Sequence, residues 1–260
     1  MHAVWSRRVN EALAEHGLDF LSSYVWGRAA TLGEAAPGVV AATFAWFEPS
    51  LVTTQYEQGR SLLPRPRLLA IRTKQSIAGL AELLDGQEVA PVAEVLKRAL
   101  GAIDGTGRPL FAGLRGLGWP TEPAGQLWRA CDLIREYRGD GHVAAVVPTG
   151  LSPVEMNVLT ELWLGMPMLS YSATRGWSEQ QLGAAAAALE TRGWLAGESL
   201  TEAGHRGRQE IEDRTDAAER PLIDAIGADL PPVTESLNLW GQLCIDAGAF
   251  PPDPFKRWAG

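Results

Sequence analysis

One short stretch of the chain concentrates the residue types that bind anions and move protons. Within eight residues it carries two arginines, two carboxylates and a histidine, namely Arg135, Glu136, Arg138, Asp140 and His142. The segments on both sides are apolar, so these charges must be paired or solvated, because burying an unpaired charge is very costly. The pattern predicts either ion pairs that pin two parts of the fold together or the wall of a polar pocket.

Each member of this cluster has a possible chemical role. His142 is the best candidate for proton transfer, because an unperturbed imidazole titrates near neutrality. Asp140 and Glu136 are the other catalytic candidates, since each is near enough in sequence to pair with His142 or with an arginine. Arg135 and Arg138 share a face if the preceding helix extends this far. Two guanidinium groups side by side favour an anionic ligand.

Other residues are candidates for binding the same ligand. Ten tryptophans are many for this length and indicate either core packing or an aromatic-lined pocket for an organic molecule. Trp177 either packs against the helix that follows it or lines the pocket. Arg72 belongs to the most basic stretch of the chain, which is either a solvated face or an anion site. The candidate ligand-binding residues are Arg135, Arg138, Trp128, Arg175, Trp177 and Arg72.

Composition limits the class of protein. The chain has 260 residues, of which 46% are hydrophobic and 21% charged, so it is long enough for two globular domains. A net charge of −8 argues against a protein that coats nucleic acid, although a local basic face could exist. We find no signal-peptide pattern, no apolar run of about 18 residues and no metal or redox spacing of the two cysteines. We therefore expect a cytoplasmic protein without membrane contact.

Sequence patterns for metals and cofactors are missing. The four histidines form no His-x-x-x-His pair, so we expect no metal site. The chain has neither Gly-x-Ser-x-Gly nor a Gly-x-Gly-x-x-Gly after a strand, which disfavours a common hydrolase triad and a nicotinamide or flavin dehydrogenase. We therefore predict no cofactor. Any chemistry would be cofactor-free, such as a cyclisation, an elimination or an isomerisation.

Helix signals recur from end to end, whereas strand signals are scarce. We predict a mainly α fold with an all-helical domain over residues 1–147, beginning with a helix over residues 2–15. Residues 123–135 predict another helix of this domain. Gly139 and Gly141 fit either a turn or a close approach of two backbones.

The second predicted domain, residues 148–260, has clearer local signals. Ser152 and Ser178 each begin a capping box, completed three residues later by Glu155 and Gln181. Residues 194–200 predict two very short strands joined by a turn. A long helix follows and is expected to be interrupted by Pro221, and the Pro-rich residues 250–254 are expected to pack as a strap over a neighbouring element.

Two sets of motifs resemble known families. Leu189-Glu-Thr-Arg-Gly-Trp-Leu and Leu200-Thr-Glu-Ala-Gly resemble the multiple-antibiotic-resistance (MarR-type) regulators, which implies a winged helix over about residues 151–227. Ala30-Thr-Leu-Gly-Glu-Ala, Gly107-Arg-Pro-Leu-Phe-Ala and Ile134-Arg-Glu-Tyr-Arg-Gly-Asp-Gly-His-Val-Ala-Ala resemble an actinobacterial family of about this length. That family is labelled only as helix-turn-helix proteins. The resemblance implies a helical domain joined to a winged helix, and it implies little about function.

The expected recognition helix departs from a DNA reader. Such a helix presents Arg, Lys, Asn or Gln to bases and phosphates, yet residues 178–191 contain no Lys or Arg. Glu179 and Glu190 lie on it, Glu198 lies in the hairpin, and only Gln180 and Gln181 could touch bases. Phosphates could be contacted from the edges, by Arg175, Arg192, Arg206 and Arg208. DNA binding is therefore disfavoured.

Three functions stay open at this stage. We favour a protein that binds a small anionic organic ligand and performs cofactor-free chemistry in specialised metabolism. The alternative is a ligand-responsive, dimeric DNA-binding regulator of the MarR type. A third possibility is a scaffold that mediates protein contact, and in each case a homodimer or a heteromer is expected.

Overall fold

The computed structural model describes residues 6–250 and is mainly helical. The predicted helical residues 2–5 and the predicted strap residues 251–254 lie outside the described part of the chain. The α-helices are α1 (Arg7–Ala14), α2 (Phe20–Ala29), α3 (Pro37–Phe44), α4 (Pro49–Leu62), α5 (Arg65–Leu83), α6 (Ala90–Ala102), α7 (Pro109–Arg115), α8 (Pro123–Val146), α9 (Pro153–Trp163), α10 (Glu179–Thr191), α11 (Glu202–Ile226) and α12 (Leu230–Asp246). The strands are β1 (Leu195–Ala196) and β2 (Ser199–Leu200).

The larger of two hydrophobic cores is built mainly by α1 to α8, and we call it the first core. Its largest fully buried side chains include Trp26, Tyr56 and Trp128. The C-terminal half of α11 and the whole of α12 add further buried side chains to the same core. These are Leu222, Ile226, Val233, Trp240 and Cys244. The chain therefore returns to the first core after the predicted boundary at residue 147, and that boundary stays a prediction.

The second core is smaller and lies between α9, α10, β1 and the start of α11. Val158, Leu159, Leu182 and Leu189 are among its buried residues. Both predicted capping boxes are confirmed, because the serine oxygen at each start accepts the third backbone N–H while Glu155 or Gln181 reaches back. Capping of this kind fixes where α9 and α10 begin.

The predicted hairpin is also confirmed. β1 and β2 pair antiparallel, with Leu195 opposite Leu200 and Ala196 opposite Ser199. Gly197 begins the two-residue turn at φ 62°, a conformation that glycine adopts without steric cost.

One local prediction was wrong, and the structure decides one alternative that the sequence left open; packing explains both. α8 runs without a break through Gly139 and Gly141, although each glycine costs a helix roughly 1 kcal/mol relative to alanine. α11 likewise continues through Pro221, which was expected to interrupt it. Both helices are long and lie against each other and against α6, so burial of their faces outweighs the local penalties.

A stripe of acidic residues on α8 organises the first core. Asp132, Glu136 and Asp140 follow one another at four-residue spacing and are all buried. Asp132 pairs with Arg72 of α5, Glu136 pairs with Arg28 of α2, and Asp140 accepts the backbone N–H of Phe111 in α7. The stripe thus ties α8 to three other helices. Among residues 6–250, no helix is both long and apolar enough to cross a membrane.

Close packing of α11 against the hairpin leads to a stability prediction. A Cβ atom at Gly204 would lie 2.2 Å from the backbone oxygen of Trp194, so the chain must shift to accept a side chain there. We expect Gly204→Ala to lower the free energy of unfolding by about 1–3 kcal/mol. Urea denaturation followed by circular dichroism measures this change.

Gly183 provides the matched control, because it is an exposed helical glycine and a Cβ atom added there would meet nothing within 4 Å. Gly183→Ala should raise the free energy of unfolding by about 0.5–1 kcal/mol through helix propensity. Equal effects of the two substitutions would contradict the packing described for α11.

Candidate functional site

A pocket of about 300 Å³ lies between the first and second cores. Its walls come from α2, α8, α9 and α11, together with the segments around residues 46–47 and 171–175. Five arginines and two glutamates line it, so its described lining carries an excess of three positive charges when His142 is neutral. We call it the arginine pocket, and its arginines are Arg28, Arg135, Arg138, Arg175 and Arg208.

A buried ion pair forms one side of the pocket. Arg28 donates from Nε and Nη2 to the two carboxylate oxygens of Glu136, at 3.0 and 2.8 Å. Arg135 donates to the same carboxylate at 2.9 Å. Burial alone would raise the pKa of Glu136, but Arg28 and Arg135 lower it to about 2. Glu136 is therefore a fixed anion that orients two arginines, and it is poorly suited to accept a proton near neutral pH.

A second ion-pair group joins α8 to α11. Glu212 of α11 accepts from Arg208 at 2.6 Å and from Arg138 at 2.8 Å. His142 lies beside this group, and its Nδ1 is 2.9 Å from the Thr215 hydroxyl oxygen. Because that hydroxyl donates to the backbone oxygen of Ile211, it accepts from His142, which places the proton of the neutral imidazole on Nδ1.

Burial and the positive charges of Arg208 and Arg138 lower the pKa of His142 to about 4, although Glu212 opposes the shift. His142 is therefore neutral at pH 7. A base with so low a pKa is weak near neutrality, where general bases work best with a pKa close to the working pH. The geometry supports a role for His142 in the pocket wall more than a role in proton transfer.

Arg175 differs from the other four arginines of the pocket. Among residues 6–250, no carboxylate lies within ion-pair distance of it, and its Nε atom is buried without a hydrogen-bond partner. Its guanidinium lies over the rings of Phe47 and Tyr171, 4.5 and 4.3 Å from their centroids. Burial lowers the pKa of Arg175, and the charges of Arg28 and Arg135 add to that effect. An anion bound here would offset an uncompensated charge.

Aromatic rings cover much of the remaining surface of the pocket. Trp46 packs against His142 with the ring centroids 5.4 Å apart. Trp163 lies under Arg208, and Tyr24 packs against Phe47. Flat rings combined with guanidinium groups suit an organic anion with a planar or apolar body.

The structure brings together five of the nine predicted site residues. Arg135, Glu136, Arg138, His142 and Arg175 all line the arginine pocket. Asp140 does not line it, because its side chain turns toward α7, where Oδ2 accepts the Phe111 N–H at 3.0 Å. Its carboxylate binds the start of α7 and does not line the pocket with the other two catalytic candidates, Glu136 and His142.

Three predicted ligand-binding residues lie elsewhere. Arg72 is buried in the first core, where it pairs with Asp132 and donates to the Gly27 carbonyl oxygen at 2.9 Å. Trp128 is 1% exposed and packs beside Arg72. Trp177 lies next to the pocket without lining it, and its indole N–H donates to the backbone oxygen of Trp46 at 3.1 Å. Sequence position could not reveal that Arg72 has a buried acidic partner sixty residues away.

Sequence reasoning missed several residues of the pocket. Arg28 is the only charged residue of α2, and this contrast was the available signal. Arg208 was expected to reach a phosphate from the edge of a DNA face, yet it is 4% exposed and pairs with Glu212. Their four-residue spacing on one helix could have indicated the pair. No local signal marked Trp46 or Tyr171.

The surface of α10 matches the expectation from its sequence. Its exposed residues are three alanines, two glutamates, two glutamines, one glycine and one threonine, and the helix carries no cation. Arg192, just after the helix, donates to the Thr149 carbonyl oxygen at 3.1 Å and lies over the ring of Trp194. The described residues contain no group of three or more His, Cys, Asp or Glu side chains that could hold a metal ion.

Comparison with known proteins identifies the class. A family model described as a helix-turn-helix family matches residues 1–251, so the chain belongs to this family. No curated protein and no solved structure matches the chain. The matched residues include both cores, and membership of the family supports a scaffold of the DNA-binding type. It does not identify a ligand for the arginine pocket.

Two side chains of α8 have pKa values that are shifted in opposite directions, which predicts how the stability of the protein depends on pH. His142 has a pKa lowered from 6.5 to about 4, so its contribution to stability is present above 6.5 and is lost as the pH falls through about 4. Asp140 has a pKa raised by burial from 3.8 to about 6, so its contribution is present below 3.8 and is lost as the pH rises through about 6.

The substitutions His142→Asn and Asp140→Asn should therefore act in opposite directions. Between pH 6.5 and pH 4, the His142 variant should lose less stability than the unsubstituted protein, and the Asp140 variant should lose more. Each difference should amount to roughly 1–3 kcal/mol. Urea denaturation at several pH values measures it, and parallel pH profiles for all three proteins would contradict the assignments.

Proposed function

We propose that the protein binds a small organic anion in the arginine pocket, on a helix-turn-helix scaffold in which α9, α10, the hairpin and α11 form a winged helix. The observation that carries this proposal is Arg175, a half-buried guanidinium that no described carboxylate pairs and whose buried Nε has no hydrogen-bond partner, although Nη2 donates to the Tyr171 hydroxyl. Removing a charge from water without a counter-charge is unfavourable, so a bound anion is the simplest compensation. A carboxylate suits the planar fork of a guanidinium.

Ligand binding is better supported than catalysis. Of the three catalytic candidates, Glu136 is held by two arginines, Asp140 is turned toward α7, and His142 has a pKa of about 4. None combines access to the pocket with a pKa close to neutrality, which general acid–base catalysis favours. Cofactor-free chemistry on the bound ligand therefore remains the weaker proposal.

Naphthoate is a suitable probe, because it joins a carboxylate to a flat apolar body. We expect isothermal titration calorimetry to detect binding of naphthoate, and Arg175→Gln to weaken it by roughly 10- to 100-fold through loss of a charge-assisted hydrogen bond. The same variant should be about as stable as the unsubstituted protein, because the substitution removes a half-buried charge that no described carboxylate pairs.

Arg192→Gln is the matched control, since Arg192 also lies over an aromatic ring but is outside the pocket. It should leave the affinity for naphthoate unchanged. Equal binding of the uncharged analogue naphthalenemethanol would overturn the proposal, because the arginines would then not recognise a charge.

A ligand-responsive DNA-binding regulator is the second candidate, and the position of Arg175 favours it. Arg175 precedes Ser178, the N-cap of α10, by three residues. Its carbonyl oxygen accepts the Glu48 N–H at 2.9 Å, and Trp177 donates to the Trp46 oxygen. A ligand that contacts Arg175 could therefore shift the start of the helix that would enter a DNA groove.

The lack of cations on α10 makes the DNA prediction specific. Fluorescence anisotropy with a labelled duplex of mixed sequence should detect no binding tighter than about 10 µM at physiological salt, because phosphate contacts require cations. The double substitution Glu179→Lys and Glu190→Lys should strengthen binding and steepen its salt dependence. Tight, strongly salt-dependent binding by the unsubstituted protein would instead favour the regulator.

A further inference from the structure

A second cavity adjoins the arginine pocket and has the opposite character. It is an open groove of about 720 Å³ between α3, α4, the end of α8 and the start of α9. We call it the apolar groove, because its lining is small or hydrophobic apart from a few hydroxyl groups. It contains no charged side chain among its described lining residues, whereas five arginines line the neighbouring pocket.

We propose that the two cavities hold one amphipathic ligand, a carboxylate that carries an extended apolar chain. Its carboxylate would lie among the arginines, and its chain would pass Trp46 into the apolar groove. This inference rests on the proposed anion binding and adds the chemical class of the ligand's body.

Two helices connect the cavities by continuous faces. On α8, Arg135, Gly139 and His142 line the pocket, and Val143 and Val146 line the groove. Steps of three and four residues keep these positions on one side of a helix. The distance from Arg135 to Val146 along the axis is about 16 Å at about 1.5 Å per residue.

α9 repeats this arrangement from the other side. Pro153 at its start lines the groove, and Asn157, Thr160 and the C-cap residue Leu164 line the pocket. These positions also follow at intervals of three or four residues, so they share one face of α9. The groove and the pocket therefore lie end to end between the same two helices.

Trp46 and Phe47 line both cavities, so the two cavities meet at these residues. The backbone oxygen of Trp46 accepts from Asn157 at 2.7 Å and from Trp177 at 3.1 Å, so its main chain is held by the second core. Its half-buried indole packs on His142 and can pack against an apolar chain that passes it.

The charge and polarity of the two cavities determine which kind of ligand can fill both. A ligand that is charged along its whole length would leave its far end against valines, and a wholly apolar ligand would leave Arg175 uncompensated. A carboxylate at one end of an apolar chain satisfies both cavities. A chain in the groove also removes from water the exposed side chain of Val147, which is 71% exposed in the free protein.

The experiment compares straight-chain carboxylates of increasing length, namely octanoate, decanoate and dodecanoate, by isothermal titration calorimetry. For the unsubstituted protein we expect each added methylene to tighten binding by about two- to fourfold, according to how fully it is buried. Ala42→Trp fills the groove from α3, where Ala42 is exposed, and should abolish the gain with length while naphthoate still binds.

Val39→Trp is the matched control, because Val39 is on the same helix, 52% exposed and outside the groove. It should keep the full gain with length. Thr54→Trp tests the groove from α4 if the Ala42 variant does not fold. The gain should disappear in this variant as well.

The outcomes separate the two proposals. If naphthoate and octanoate bind but affinity does not rise with chain length, the shared ligand is wrong and anion binding stands. The same conclusion follows if the groove variants bind dodecanoate as tightly as the unsubstituted protein does. If dodecanoate binds as tightly to the Arg175→Gln variant as to the unsubstituted protein, the carboxylate is not read by Arg175 and both proposals fail.

Discussion

The structure depends on the pairing of three acidic side chains inside the first core. Asp132, Glu136 and Asp140 form one buried stripe of α8, and each is bound by a different helix. Buried carboxylates are tolerated only when opposite charges or N–H groups satisfy them, and loss of one partner from such a pair costs about 3–5 kcal/mol. This requirement fixes α2, α5 and α7 around α8, and it fixes the arginine pocket as a consequence.

The pocket follows from that arrangement because Glu136 serves two purposes. Its two carboxylate oxygens hold Arg28, and Oε1 also accepts from Arg135. Glu212 of α11 likewise pairs with two arginines, Arg138 and Arg208. Two carboxylates thereby position four guanidinium groups, and Arg175 adds a fifth that has no described carboxylate partner. The electrostatic potential in the pocket is therefore positive, although the net charge of the chain is −8. The local arrangement of charges thus matters more than the net charge of the chain.

A helix-turn-helix chain is expected to read DNA, and the scaffold is present here without the usual surface. α10 begins at a capping box and exposes mostly small and acidic residues. The segment that leads into α10 instead contributes Arg175 to the pocket and Trp177 to the carbonyl of Trp46. The segment directly before α10, the helix that would contact DNA, therefore forms part of the wall of the arginine pocket.

The sequence by itself determined the features that depend on neighbours along the chain. These include the mainly helical class, the starts of α9 and α10, the hairpin at 195–200 and the grouping of Arg135, Glu136, Arg138 and His142 near one pocket. Only the tertiary structure decided the rest, because it depends on partners far apart in sequence. Arg28 lies 108 residues from Glu136, and Arg72 lies 60 residues from Asp132. Contacts across such distances turned Arg72 and Asp140 into structural groups, kept α8 and α11 unbroken and placed Trp46 between two cavities.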